Sequence, residues 1–224
     1  DFAGTIRHLA VVRAQKAIID GRRKPIYEVC KALAESGREV RYGDKVLVRT
    51  TAAAPVVKTS VPAAVIKKHD PRLWADSRLI RPFVSLKAVG AEGDMVTARA
   101  EVAVGKLGRL PAIPDGRRSD EAAAALMAMP PVTPLTAQET ELVAALRDIA
   151  RRAGWDGLPY VFSDGWTAQL NQLQYNSDRL QVIAPELWDK LAVQTTTTPA
   201  PRWYFKTVGD DDDEGSDGEH GYGL

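Results

Sequence analysis

Between Lys58 and Val89 the chain packs more structural instruction than anywhere else, and the pair Asp70-Pro71 is its tightest element. Proline fixes its own φ and has no amide to donate, so it suits the first position of a helix. An aspartate just before it accepts from the free amides of that first turn. The pair therefore predicts a helix entry, with Leu73 and Trp74 as apolar anchors and Arg81 to Val89 as the strand that follows. The same stretch carries Lys58, Lys67, Lys68, Arg72, Arg78 and Arg81.

Those bases belong to a wider polarity. The net charge of the 224 residues is only +1, yet residues 1–90 hold 18 Lys and Arg against 8 Asp and Glu, a net of +10. Residues 209–224 hold 7 acids and no base. A basic half and an acidic arm point to a polyanion-facing module with a partner-recruiting or autoinhibitory tail. A solvated basic surface with a solubilising end is the plainer alternative. No apolar run is long enough to span a bilayer, since Ala122 to Met129 is closed by Pro130-Pro131, so no membrane partner is expected. The start DFAGTIRH has neither Met nor a signal-type apolar core, and the natural terminus is expected to lie further upstream. Cys30 is the one cysteine, which fits a reducing cytoplasm.

Taken in order, Thr5 to Ile19 reads as a helix ended by Gly21, and Pro25 opens a second with Ile26, Val29, Cys30 and Leu33 on one stripe. Arg22, Arg23 and Lys24 form the basic tip of this helical hairpin. Arg38–Tyr42 and Lys45–Thr50 read as strands around a Gly43-Asp44 loop of type II′, with Val46 and Val48 on the apolar face. Met95 to Val104 reads as a strand beside Arg81 to Val89. Residues 105–134 read as a Pro/Gly-rich connector with one short helix over Glu121–Met129. Thr136 and Glu139 have capping-box spacing before the stripe Leu142, Leu146, Ile149 and Ala153. Pro159–Phe162 reads as a buried strand, the region of Trp166, Leu170 and Leu173 as a helix, and Arg179–Ile183 as a strand. Arg202–Val208 is an aromatic run that either completes a sheet or docks elsewhere.

The expected fold is α+β: a helical hairpin plus a small antiparallel sheet in residues 1–104, the connector over 105–134, an α+β domain over 135–208, and a disordered acidic tail over 209–224. VIAPELWDKL (182–191) echoes VIKKHDPRLWADS (65–77) in its Val-Ile pair, proline and Leu-Trp, with a different spacing from pair to proline. An internal duplication and two convergent helix starts both account for it. Trp74, Trp188 and Trp203 are candidate partner anchors, the first two weighed against a role as core plugs.

Chemistry is sparse. His8, His69 and His220 have no metal-ligand spacing, and no nucleophile elbow, phosphate loop or dinucleotide turn is present. Asp210, Asp211, Asp212 and Asp213 form a polyacid without preformed geometry, better suited to a basic partner surface. Cys30 lies on an apolar stripe and reads as a small hydrophobe. No catalysis, no cofactor and no small-molecule substrate are expected.

Val61, Ile66-Lys67, Pro71, Leu73-Trp74, Arg81 and Phe83-Val84 together resemble a segment of small phage early proteins encoded near recombination and replication functions. The likeness covers about an eighth of the chain. It implies a DNA-recombination setting and no mechanism, and Pro82 after Arg81 departs from the pattern. The expected function is a non-catalytic regulator of a DNA transaction, such as a recombination directionality factor. It would bind a recombinase or replication enzyme and contact DNA through Arg22, Arg23, Lys24, Lys58, Lys67, Lys68, Arg72, Arg78 and Arg81. The alternative is a single-stranded DNA binder that stacks bases on Tyr42 and Phe83.

Overall fold

The computed structural model describes residues 1–163 and 165–209, so the expectations placed on the tail, Asp210 to Asp213 included, lie outside the described residues. The fold is α+β with small sheets. The chain divides into two compact units that are not consecutive in sequence. Unit 1 holds 1–51, 88–146 and the segment from Pro201; unit 2 holds 52–87 and 147–200. The stretch 105–134, expected to separate domains, falls within unit 1.

The expected helical hairpin is instead one helix, α1 (Phe2–Glu35), with Pro25 inside it. Its stripe explains why. Val12, Ile19, Ile26 and Leu33 recur every seven residues in unbroken phase across Gly21 and Pro25, and all four are buried. A turn at Gly21 would break that phase. Proline removes one backbone bond and crowds the carbonyl four residues back, which here belongs to Gly21, at about 3 kcal/mol. Burial of the stripe on both sides of the proline offsets that cost. Ile19 and Ile26 pack with Val104 and Met129, while Cys30 and Leu33 pack with Ala122 and Ala123.

Unit 1 adds β1 (Arg41–Tyr42), β2 (Lys45–Arg49) and, from the far end of the chain, β8 (Trp203–Thr207), in the order β1-β2-β8. Tyr42 pairs with Lys45, leaving the expected two-residue loop. Gly43 has φ 60 and Asp44 is not left-handed, the sign pattern of the II′ turn. The aromatic run thus completes the sheet, with Leu47 opposite Phe205 and Arg49 opposite Trp203. The core residue of β2 is Leu47, buried with Val40, rather than Val46 and Val48. Residues 40 and 47 face each other across the hairpin, so register puts Leu47 on the inner face.

The expected strand over 95–104 is a helix, α4 (Ala91–Lys106). Its Ala/Val alternation imitates a strand, but alanine is the strongest helix former, and Glu92 and Asp94 stand in the first turn, where the helix dipole favours acids. Ala100 and Val104, four apart, are buried, and α4 packs along α1. α5 (Ser119–Met127) also packs on α1, through Ala122 and Ala123. α6 (Thr133–Arg152) begins three residues ahead of the expected capping box. Thr136 instead donates its hydroxyl to the Val132 carbonyl, and Glu139 accepts from Arg13 at 2.8 Å and Lys16 at 2.6 Å.

Unit 2 contains β3 (Val56–Ser60), α2 (Ala63–His69), α3 (Pro71–Asp76) and β4 (Arg78–Ala88). After the last turns of α6 come β5 (Tyr160–Ser163), β6 (Trp166–Tyr175), α7 (Ser177–Ile183), α8 (Pro185–Leu191) and β7 (Val193–Thr197). β3 pairs antiparallel with β7, and β6 lies between β4 and β5. Two expectations reverse here. The segment from Trp166 is a strand, because Trp166, Ala168 and Leu170 are buried at every second position. The segment 179–183 is helical, because the Asn176 side chain accepts from the Arg179 amide at 2.7 Å and caps it. β5 exists, but Tyr160 and Val161 on it are exposed rather than buried. The core joins Val61, Ile66 and Leu180, with Leu73, Trp74, Leu187 and Trp188 packed on it.

Two outcomes test this account. The added methyl of Gly21→Ala meets nothing within 4 Å, so the substitution is expected to raise stability by about 1 kcal/mol in a denaturant titration; a hairpin turn at Gly21 would make it destabilising. Glu139 carries a pH dependence. Burial alone would push its carboxyl up, but the hydrogen bonds from Lys16 and Arg13 outweigh that and hold it below its ordinary range. A depressed carboxyl stabilises the fold above its unfolded pKa and ceases to as pH falls through its folded pKa. Glu139→Gln is therefore expected to lower Tm at neutral pH and to narrow its gap from the parent chain as pH drops below about 4, measured by thermal melts across pH.

Candidate nucleic-acid interface

In unit 2 the Asp70-Pro71 entry forms as read. Asp70 Oδ1 accepts from the amides of Arg72 at 2.9 Å and Leu73 at 3.0 Å, and Pro71 opens α3. That cap sets the geometry of the basic surface. α2 ends on Lys67, Lys68 and His69, where its carbonyl end favours positive charge. α3 then starts at once with Arg72 exposed. Trp74, half-buried, is the pivot: Lys67 Nζ lies 4.9 Å and Arg78 Cζ 4.6 Å from its ring centroid. The ring's negative face holds both cations, an interaction that strengthens as water is excluded. Lys67 and Arg78 are thereby oriented, while Lys68 and Arg72 project freely into solvent. Asp70 is the nearest acid in sequence, and its Oδ1 is committed to the cap.

The other expected contacts scatter. Lys58 on β3 and Arg81 on β4 are exposed within unit 2. Arg22 and Lys24 are exposed in unit 1. Arg23 is corrected: it is 8 % exposed, its guanidinium donates to the Pro130 carbonyl at 2.5 Å and lies 3.5 Å from Asp20. Three successive residues on a helix point about 100° apart, so a continuous α1 turns Arg23 inward where a hairpin tip would have exposed it.

The tryptophans read as partner anchors all pack inside. Trp74 and Trp188 share the Ile66–Leu180 core, and Trp188 donates its indole N–H to Ser177 Oγ at 3.0 Å. Trp203 packs on the cluster of Cys30 and Leu47. Each side chain is only partly buried, but core packing accounts for its position. The paired cations on Trp74 and the Arg13–Glu139–Lys16 triad were missed by sequence reasoning; only the i, i+7 spacing of Lys67 and Trp74 on adjacent short helices hinted at the first.

Among the described residues, no group of three or more His, Cys, Asp or Glu is placed to hold a metal ion. Burial pushes the Cys30 thiol up to about 11, so it stays protonated. No described helix is long and apolar enough to cross a membrane. The chain matches no family model, no curated protein and no solved structure.

Asp70→Ala is expected to cost about 1 kcal/mol as the cap disappears, while Asp70→Asn, which keeps the acceptor, costs a few tenths; urea titration of both variants checks this.

Proposed function

We propose that the chain is a non-catalytic regulator of a DNA transaction that holds the phosphate backbone on the α2–α3 surface of unit 2. The observation that supports it is the grouping of Lys67, Lys68, Arg72 and Arg78 around one capped helix junction, with Lys58 on β3 and Arg81 on β4 exposed in the same unit. Charge of this kind holds backbone phosphates and carries no base readout by itself. Such a surface suits an accessory that relies on a DNA-acting protein, a recombinase for example, for sequence choice. The phage recombination setting implied by the resemblance over residues 61–84 agrees with that role. Single-strand binding draws less support: Tyr42 stands in the β1-β2-β8 sheet and Phe83 on β4, so the two aromatics belong to different sheets.

Lys68→Glu with Arg72→Glu is expected to weaken binding to a mixed-sequence duplex and to lower its salt slope by about 2, one unit for each phosphate that is no longer held. Fluorescence anisotropy across a salt series measures both. Duplex affinity and slope unchanged in a folded double variant would refute this surface.

A further inference from the structure

Unit 2 runs β-α-α-β twice. In the first pass β3, α2, α3 and β4 follow one another; in the second β6, α7, α8 and β7 do. α2 and α7 are both seven residues long and start 114 positions apart, at Ala63 and Ser177. The same offset carries Pro71 onto Pro185, each opening its helix, and Leu73-Trp74 onto Leu187-Trp188. It carries buried Ile66 onto buried Leu180.

The strand pairing obeys the twofold such an equivalence demands. The first strand of one half pairs with the last of the other, β3 with β7, and β4 lies beside β6. Shifted by 114, the Ser60–Val193 pair becomes Gln174 and Leu79. Two positions beyond it, the Asn176 amide donates to the Ser77 carbonyl at 3.0 Å. Residues near a twofold axis touch their own equivalents, and Tyr175 Oη donates to the carbonyl of Val61, 114 positions before it, at 3.0 Å.

We infer that unit 2 is one βααβ motif present twice, its halves exchanging strands as two subunits of a dimer would, and that only the first half faces the polyanion. The second part of this inference rests on the DNA reading above; the first does not. Ile66, Leu73 and Trp74, which build the core, match Leu180, Leu187 and Trp188 in kind, while the outward positions do not. Exposed Lys67, Lys68, His69 and Arg72 correspond to exposed Gln181, Val182, Ile183 and Glu186. Residues 56–88 hold seven bases against two acids, and residues 170–202 hold three against three. A twofold DNA reader would present the same charge on both helix pairs. This unit presents it on one, and so meets the duplex from one side.

The test exchanges the helix pairs in the full chain. Asp178–Lys190 is replaced by the sequence of Ala64–Asp76, keeping Ser177 and Leu191 in place. The chimera is expected to retain the helical circular dichroism and cooperative melting of the parent, since Asp70 brings a cap that Ala184 lacks. Its salt slope for duplex DNA is expected to steepen by about 2 to 3, from the bases brought to positions 181, 182 and 186, while Arg179 and Lys190, which the exchange removes, lie on the half that holds no phosphate. Loss of cooperative melting overturns the duplication. To separate misfolding from a wrong assignment, Gln181→Lys, Val182→Lys and Glu186→Arg are made together without moving the backbone. If this triple variant melts like the parent, and the parent binds duplex, an unsteepened slope overturns the division between halves. A cooperatively folded chimera supports the duplication even where the parent binds no duplex; that second result overturns the one-sided DNA contact and the proposed function together.

Discussion

The first unit assembles on the unbroken phase of one apolar stripe. A helix of 34 residues is far longer than a domain of this size needs, and it contains both a glycine and a proline that favour ending it. What keeps it whole is that the stripe finds partners on both sides of Pro25: Ile19 and Ile26 pack with Val104 of α4 and with Met129, and Leu33 with Ala122 and Ala123 of α5 and with Leu47 and Phe205 of the sheet. Arg23 falls on the same stripe and is largely withdrawn from water, and the Pro130 carbonyl accepts from it. A buried cation with a fixed carbonyl partner ties the middle of α1 to the end of the α5 segment, where an apolar residue would only have filled space.

The second unit is organised differently, around a repeated local signal. Asp-Pro or Ala-Pro opens a short helix, Leu and Trp two and three positions on drive into the core, and the preceding helix supplies one fully buried aliphatic residue. Neither helix pair is long enough to stand alone. Each is held because its Trp packs on the cluster of Val61, Ile66 and Leu180, to which both halves contribute, so the unit's stability depends on both halves together.

Legibility follows from how local each signal was. The α3 entry and the II′ hairpin were readable because Asp-Pro and Gly-Asp act within four residues. The echo of Pro-x-Leu-Trp was readable for the same reason. Its register was not: the Val-Ile pairs that drew attention are not equivalent, and Ile66 corresponds to Leu180 instead. α4 and β6 were exchanged in type because Ala/Val alternation imitates a strand, while Trp166, Leu170 and Leu173 fall on a helical spacing that ignores Ala168. The α1 hairpin was a failure of reach: its correct signal is a seven-residue phase over the whole segment, outweighed by two strong punctuation residues. Arg23 was then misplaced as a consequence. The basic cluster on α2 and α3 was legible as charge, but its organisation by Trp74 depended on packing that spacing alone does not reveal.

The two tryptophans show how equivalent positions take on different chemistry. Trp188 satisfies its indole on Ser177, a residue whose counterpart is Ala63, so the first half has no hydroxyl to offer in that place. Trp74 is flanked by Lys67 and Arg78, whose counterparts are Gln181 and Ala192. A ring packed on the same core is therefore finished by a hydroxyl in one half and by two cations in the other. The hydroxyl also accepts from the Val61 amide at 2.9 Å and so ties the halves together. The cations leave charge at the surface. One half closes the unit with a hydroxyl and the other leaves it positively charged, a difference that rests on a few side chains around a shared Pro-x-Leu-Trp frame.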